Sequence, residues 1–267
     1  MLLIMPAVVT LLRQHWGEWL GGSGVTGGYL VIFLIGNALQ LVTIVPLLRV
    51  HDLPIDDWRD GGPAWRELVT TCRTQPNLRW IILSAWWLAF AQGLTQAPFF
   101  RYQVNVLHQP IETYLLLSGL MYGLQIPLST LGGWLSDHSG DRGPTMFGLL
   151  LVSLAMLFWF LARPGQSAWL IGAYATWGLF GLVNVCQRNL LLRHARHVEN
   201  ATPLAALEQI SGLLAGVAGL TGGWLLDQLL ARLGTSSPLM PYFILFGISW
   251  FGRATAPLWL LPVRRQE

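Results

Sequence analysis

The sequence predicts an all-α membrane protein that crosses the bilayer several times. Hydrophobic residues make up 53% of the 267 residues and charged residues only 11%, whereas a soluble domain carries about 25% charged residues. Several apolar stretches reach about 20 residues, the length with which a helix crosses a hydrocarbon core of about 30 Å. Within a bilayer each such segment must satisfy its own backbone polar groups, and segments of this length do so as helices.

Seven stretches are predicted to be full transmembrane helices. They cover residues 28–48, 80–100, 112–135, 145–161, 168–190, 203–230 and 242–263. Residues 1–12 are apolar but too short to span, and we interpret them as the end of a truncated N-terminal helix. The predicted organisation is the end of an incomplete N-terminal helix bundle over residues 1–49, a cytoplasmic linker over 50–78 and a C-terminal six-helix bundle over 79–267.

The segments between and within these spans have distinct features. In the linker, Trp65, Leu68, Val69 and Cys72 follow a spacing of i, i+3, i+4 and i+7, which predicts an amphipathic helix on the membrane surface. Pro127 breaks the third span, and the fourth is so uniformly apolar that it is expected to face lipid. The sixth span is rich in glycine, which lets a neighbouring helix pack closely.

The arginine residues predict the orientation in the membrane. All sixteen basic residues are Arg, and the net charge is +3. Alternating spans place ten Arg on the side of the linker and the C-terminus and four on the opposite side. Basic loops favour the cytoplasm, so we expect a multi-pass protein of the cell (inner or plasma) membrane with a cytoplasmic C-terminus. This distribution does not indicate a nucleic-acid partner.

The turn between the third and fourth spans carries the most specific motif in the chain. Its sequence over residues 132–142 is Gly-Gly-Trp-Leu-Ser-Asp-His-Ser-Gly-Asp-Arg. Gly133 permits close helix approach and Gly140 permits a tight turn. Asp137 lies at a helix end, where its carboxylate can accept backbone N–H groups or pair with Arg142.

This motif is similar to the signature turn of the major facilitator superfamily, Gly-x-Leu-Ala-Asp-Arg/Lys-x-Gly-Arg/Lys-Arg/Lys. The matching positions are Gly133, Leu135, Asp137, Gly140 and Arg142, whereas Ser136, His138 and Asp141 depart from the pattern. The departures suit the degenerate second copy of the signature, which follows the family's eighth helix. Asn184 before a basic loop resembles the end of the family's tenth helix, and the glycines between residues 212 and 223 resemble the eleventh.

The resemblance implies a major-facilitator-like half bundle. The spans then correspond to helices six to twelve, residues 1–12 correspond to the tail of helix five, and a missing N-terminal half or a second subunit is the expected partner. The resemblance also implies that Gly133, Asp137, Gly140 and Arg142 form a conformational latch of a rocking carrier. The alternative is a plain tight turn between two spans.

Polar side chains at helical spacing within the spans predict a substrate pathway, because polar groups that face lipid are penalised. The candidates are Gln92, Gln96, Tyr122, Gln125, Tyr174, Asn184, Gln187 and Arg188. The alternative is hydrogen bonding between helices, which contributes about 0.6 kcal/mol per contact. Both interpretations stay open for the glutamines.

Two charged residues within the spans are candidate proton or gating sites. Glu208 lies inside the sixth span, where a carboxylate is costly unless it is paired or protonated; the alternative is snorkelling to the interface or pairing with Arg188 or Arg193. Arg253 lies in the middle of the last span, where an Arg costs about 2.5–3.5 kcal/mol on insertion scales. Its alternative is structural pairing.

The leading hypothesis is a secondary active transporter that moves a small solute by alternating access, with proton-coupled efflux as one form of it. The alternative is a non-transporting membrane scaffold or a seven-span receptor. An enzyme is disfavoured because the six His lie in loops or at span edges, away from the convergent arrangement that catalysis needs. Cys72 and Cys186 are too few and too distant for a metal site, and no cofactor is expected.

Overall fold

The chain is an all-α polytopic membrane protein. The computed structural model describes residues 72–195, 201–234 and 237–263, together with Leu34, Asn37, Ala38, Leu41, Val42 and Thr70. The predicted stretch at residues 1–12, nearly all of the span at 28–48 and most of the surface helix lie outside the described residues. The chain divides into two compact units, Met1–Gly61 with Ile111–Gly119, and Gly62–Pro110 with Leu120–Glu267. All side-chain contacts given below lie within the second unit.

The described part of the chain contains helices and no strand. In order, its α-helices are α1 (Pro76–Gly93), α2 (Gln96–Arg101), α3 (Ile111–Ser139), α4 (Arg142–Leu161), α5 (Trp169–Trp177), α6 (Phe180–His194), α7 (Ala201–Leu233) and α8 (Met240–Thr255). A π-helical turn at Tyr102–Val106 continues α2, and a 3-10 turn at Ala256–Leu260 continues α8. Pro76 occupies the first turn of α1, where its missing N–H removes no hydrogen bond.

Five helical stretches in the described ranges are long and apolar enough to cross a membrane. They are Ile111–Ser139, Arg142–Leu161, Trp169–His194, Pro203–Leu233 and Met240–Leu260. The predicted span at residues 80–100 is divided between α1 and α2, and the span at 28–48 falls almost wholly outside the described residues. The total of seven spans therefore stays a prediction.

Two of the expected continuous helices are interrupted, whereas the expected break at Pro127 does not end α3. At the end of α1, the Thr95 amide donates to Gln92 O, three residues back, at 3.2 Å. Between α5 and α6, the Leu179 amide likewise donates to Thr176 O at 3.1 Å. Both interruptions shift the backbone from i→i−4 to i→i−3 hydrogen bonds, the tightening typical of helix ends.

Aromatic side chains fill the core where α2, α4, α5 and α8 meet. Trp159 is fully buried, and its ring centroid lies 4.3 Å from that of Phe99 and 5.8 Å from those of Trp177 and Phe246. Each such pair contributes about 0.5–1.5 kcal/mol beyond simple burial. The buried Tyr102 hydroxyl donates to Ala162 O at 2.6 Å, whereas the indole Nε1 atoms of Trp159 and Trp177 have no hydrogen-bond partner among the described residues.

Helices α1 and α7 pack closely through small residues. A Cβ atom added at Gly222 would collide with the backbone of Leu94, and one added at Gly93 would collide with the backbone of Ala215. Because glycine has no Cβ, the two backbones can approach at these points. The interruption at the end of α1 is therefore held directly against α7.

Candidate functional site

The predicted pathway residues divide into an exposed and a buried group. Gln96, Tyr122, Asn184 and Arg188 are exposed, and Gln92 and Gln125 are partly exposed. Asn184 lies about ten residues before the end of α6 at His194, which corresponds to about 15 Å along the helix axis. For a span that leaves the hydrocarbon core at His194, that distance is half the thickness of a core of about 30 Å.

Arg188 and Glu208 form an ion pair between α6 and α7. The Arg188 guanidinium donates from Nε at 3.0 Å and from Nη2 at 2.7 Å to Glu208 Oε1. The side chains are 57% and 49% exposed. Asn184 lies one turn before Arg188 and shares its helix face. The structure thus joins one predicted pathway residue to one predicted gating residue on an exposed face, and we call Asn184, Arg188 and Glu208 the polar face.

Tyr174 and Gln187 point into the bundle instead. The Tyr174 hydroxyl donates to Gln103 Oε1 at 3.1 Å, and both residues are buried. Gln187 is also buried, and its Nε2 has no hydrogen-bond partner among the described residues. Both side chains therefore lie in the interior of the bundle. For Tyr174 the contact agrees with the alternative of hydrogen bonding between helices.

Gln125 contributes to helix packing through its backbone. Its carbonyl accepts a hydrogen bond from Ser129 Oγ at 2.6 Å. Gly181 of α6 lies against the same backbone so closely that an added Cβ would collide with it. The close approach of α3 and α6 therefore occurs at this point.

A buried carboxylate organises the turn between α3 and α4, and it belongs to Asp141. Its side chain is only 2% exposed and accepts a hydrogen bond from Arg193 Nε at 2.9 Å and another from Ser136 Oγ. Ser136 Oγ in turn accepts from Asn189 Nδ2 at 3.0 Å. Asp141 is also the N-cap residue of α4, and its carbonyl accepts from Thr145 Oγ1 at 2.7 Å. Asp141, Ser136, Asn189 and Arg193 form what we call the turn cluster.

The four residues predicted as the latch have separate roles in this turn. Asp137 is 74% exposed and lies 3.7 Å from Arg193 Nη2 rather than beside Arg142. Gly140 has a φ of 79°, which glycine adopts without strain. Arg142 donates from Nη2 to Leu261 O at 2.7 Å, so it ties the turn to the segment after α8. Gly133 is partly exposed, and nothing lies within 4 Å of a Cβ added there.

Arg253 lies in the last turn of α8 rather than in the middle of the last span as predicted, and it is buried without a carboxylate within 4.0 Å in the described ranges. Its Nε donates to Ser249 Oγ at 3.1 Å and its Nη2 to Thr95 Oγ1 at 3.0 Å. The guanidinium carbon lies 5.7 Å from the ring centroid of Phe99 and 5.6 Å from that of Trp177. Hydroxyl groups and aromatic faces therefore surround this charge.

Several residues of these clusters were not predicted from the sequence as site residues. Asp141 directly precedes an apolar helical run, a typical N-cap position, but its side chain makes no capping hydrogen bond and binds Ser136 and Arg193 instead. Ser136, Asn189, Thr95 and Ser249 carried no signal, because single hydroxyl and amide side chains in helices become informative only when the neighbouring helix is known.

The chemistry of these groups is that of binding and of forming and breaking ion pairs. The part of the chain that the structure describes holds no group of three or more His, Cys, Asp or Glu that could bind a metal ion. A further ion pair joins α2 to α7, with Arg101 Nη1 at 2.5 Å from Asp227 Oδ1. The arrangement thus combines polar groups on an exposed face with charged links between helix ends.

Comparison with known protein families places the chain in a family. The sequence model described as Major Facilitator Superfamily matches residues 2–219 of the chain. This range contains the turn cluster and the polar face, and it ends before α8. No curated protein matches the chain, and no solved structure does.

Proposed function

Because the chain belongs to the major facilitator superfamily and is a membrane transporter of that family, we propose that it moves a small solute by alternating access along the polar face. The observation that carries this proposal is the exposure of Asn184 together with the Arg188–Glu208 ion pair on α6 and α7. Such groups are costly against lipid. A water-filled pathway gives them the solvation that they require.

We propose that a second helical bundle covers this face, on a longer chain or as a second subunit. In the most apolar stretches of α3 and α7 only 22% and 17% of the residues are buried, against 44–50% in the three other candidate spans. Exposed residues on α7 include polar Glu208 and Gln209 as well as apolar Leu213 and Val217. Lipid can cover the apolar residues, whereas the polar ones need a protein or water neighbour.

Glu208 is the residue that we propose for proton coupling or gating. Its carboxylate is bound to Arg188 in this conformation. Protonation would remove the negative charge and weaken the ion pair, so proton binding and helix movement at the α6–α7 contact would be linked. The direction of transport that we propose is efflux, driven by proton entry.

The turn between α3 and α4 fits the latch role through the turn cluster and Arg142. Asp141 and Arg142 tie the turn to α6 and to the segment after α8, respectively. A rocking bundle needs such links to move as one body. We propose that this turn faces the cytoplasm of the cell, as does the C-terminus, on the basis of the Arg distribution.

Cysteine accessibility tests the proposed pathway without knowledge of the solute. In a C72S/C186A background, Asn184→Cys should react with a water-soluble maleimide in open membrane vesicles. Leu154→Cys on α4 is the matched control, because Leu154 is exposed on a uniformly apolar helix and should face lipid. We expect fast labelling at position 184 and little at position 154.

Equal and slow labelling at both positions would contradict the proposed pathway. Labelling in sealed vesicles from each side then tests alternating access. We expect Asn184→Cys to react from both sides, since the bundle opens to each in turn. Reaction from one side only would indicate a receptor or scaffold with a fixed cavity.

A further inference from the structure

The helix interruption between α1 and α2 leaves carbonyl groups that another element must satisfy. In a continuous helix the Thr95 amide would donate to Ala91 O. Here it donates to Gln92 O at 3.2 Å, which releases Ala91 O from its helical partner. The site is buried, with Thr95 fully inaccessible and Leu94 8% exposed, so water does not offer a ready replacement. A buried backbone acceptor without a partner is costly.

Two hydroxyl groups satisfy this helix end. Ser249 of α8 donates from Oγ to Ala91 O at 2.6 Å, and Thr95 donates from Oγ1 to Gln92 O at 3.2 Å. Each hydroxyl has one proton to donate, so its lone pairs remain available as acceptors. The Arg253 guanidinium donates to both hydroxyl oxygens, from Nε to Ser249 Oγ and from Nη2 to Thr95 Oγ1.

The result is a continuous chain of hydrogen bonds from a cation to the C-terminal end of α1. The last carbonyls of a helix carry the negative end of its dipole, which favours a positive charge. Hydroxyl groups that accept from a cation are polarised and become better donors. The helix end therefore compensates the charge of Arg253, and Arg253 strengthens the bonds that hold the helix end.

Aromatic and backbone contacts fix the second segment of the interrupted helix. Phe99 of α2 lies under the Arg253 guanidinium at 5.7 Å, within cation–π range. Gly222 of α7 lies against the Leu94 backbone. Arg253 thus contacts Thr95 within the interruption and Phe99 after it, and it reaches Ala91 before it through Ser249, while α7 packs against Leu94.

We propose that Arg253 is a positioning residue that clamps the interruption between α1 and α2 and so sets the placement of Gln96. This inference rests on the proposed function in one respect, because that function assigns Gln96 to the solute pathway. The clamp itself is independent of that function. Gln96 opens α2 and is exposed, so a displacement of α2 changes its environment first.

Hydrogen–deuterium exchange of the purified protein in detergent tests the clamp. Arg253→Met keeps a long side chain and removes the donors. We expect amides over residues 90–99 to exchange about tenfold faster or more, since hydrogen bonds to a charged group are stronger than neutral ones. Amides over residues 148–158 of α4 should be unchanged. Arg232→Met, at an exposed position on α7, is the matched control and should change neither segment.

Ser249→Ala is a second test variant, and it retains the charge of Arg253. We expect it to accelerate exchange over residues 90–99 as well, and the double variant to exceed the larger single effect only slightly, because both act through one hydrogen-bond chain. Arg253→Lys should restore part of the protection. Unchanged exchange over residues 90–99 in folded Arg253→Met would overturn the clamp, and if that variant does not fold, unchanged exchange in Ser249→Ala does so.

Maleimide labelling separates the clamp from the pathway. In the Arg253→Met background we expect the labelling rate of Gln96→Cys to change while that of Asn184→Cys stays constant, which a general loss of structure would not produce. If Asn184→Cys reacts and the labelling rate of Gln96→Cys does not change in the Arg253→Met background, only the positioning of Gln96 is refuted. An unreactive Asn184→Cys in the parent protein would refute the proposed function and leave the exchange result standing.

Discussion

Asp137 and Asp141 belong to the same short turn, and their environments differ completely. The side chain of Asp137 is 74% exposed, whereas that of Asp141 is 2% exposed and accepts hydrogen bonds from Ser136 and Arg193. A carboxylate that is buried and hydrogen-bonded contributes to stability, whereas an exposed one at 3.7 Å from its partner contributes little. The residue that matches the family signature is therefore not the one that holds the turn together.

Asp141→Asn should lower the stability of the protein more than Asp137→Asn does. The amide of the variant cannot accept from Arg193 with the strength of a carboxylate, and its NH2 group can face the guanidinium. We expect a loss of about 1–3 kcal/mol for Asp141→Asn and less than about 0.5 kcal/mol for Asp137→Asn. Unfolding of both variants in detergent, followed by Trp fluorescence, measures the difference, and equal losses would contradict the assignment.

The ion pair between Arg188 and Glu208 can be tested by exchanging the two charges. Arg188→Glu places two carboxylates opposite each other, so we expect α6 and α7 to separate there and the labelling rate of Asn184→Cys to rise. Glu208→Arg in the same chain restores opposite charges and should return the rate to that of the parent. Because both side chains are about half exposed, the unfolding free energy should change by less than about 1 kcal/mol. A double variant that labels like Arg188→Glu would show that the pair does not control the contact.

Two glycines of α7 have different surroundings, and only one of them lies against the end of α1. A Cβ at Gly222 would collide with the Leu94 backbone, whereas one at Gly212 would meet nothing within 4 Å. The same substitution in one helix thus separates close packing from helix propensity. Backbone atoms cannot move aside as a flexible side chain can, so the collision must displace a helix.

Gly222→Ala should therefore destabilise the protein, and Gly212→Ala should not. For Gly222→Ala we expect a loss of about 1–3 kcal/mol from overpacking. For Gly212→Ala we expect no loss, or a gain of up to about 1 kcal/mol, because Ala is the better helix former. Apparent melting temperatures in detergent compare the two. A larger loss at position 212 would mean that an unseen neighbour covers that face.

The sequence was sufficient for some features at the element scale and insufficient for others. Hydrophobic length and the low charge content predicted the α-helices, and the Gly-Asp-Arg spacing predicted the turn at Gly140. The interruptions after Gly93 and Trp177 were not predicted, because they depend on contacts with α7, α8 and α3 that sequence periodicity does not contain. Arg253 illustrates the same limit, since its hydroxyl partner Thr95 lies 158 positions away.

At the scale of the whole molecule, the proposed orientation follows from arginine counts and can be tested directly. In the proposed orientation the loop between α4 and α5 lies outside the cytoplasm, so we expect alkaline phosphatase fused after Gly165 to be active. The same reporter fused after Gly140, in the turn between α3 and α4, should be inactive, and a fluorescent-protein fusion there should be bright. The reverse pattern would place the turn outside and refute the latch topology.

The contacts between α1 and α8 have a consequence for biosynthesis. Ser249 Oγ donates to Ala91 O, Ser84 Oγ donates to Ala256 O, and Trp87 Nε1 donates to Thr255 Oγ1. Three polar contacts thus join α1 to α8 and the 3-10 turn that continues it, whereas Trp86 Nε1 donates to Ala206 O of α7. Because membrane helices are inserted as they emerge from the ribosome, α1 must wait in the bilayer or the insertion machinery while more than a hundred further residues are translated. The Ala91 carbonyl therefore gains its Ser249 donor only after α8 has been translated, whereas the Thr95 hydroxyl can bind Gln92 O before then.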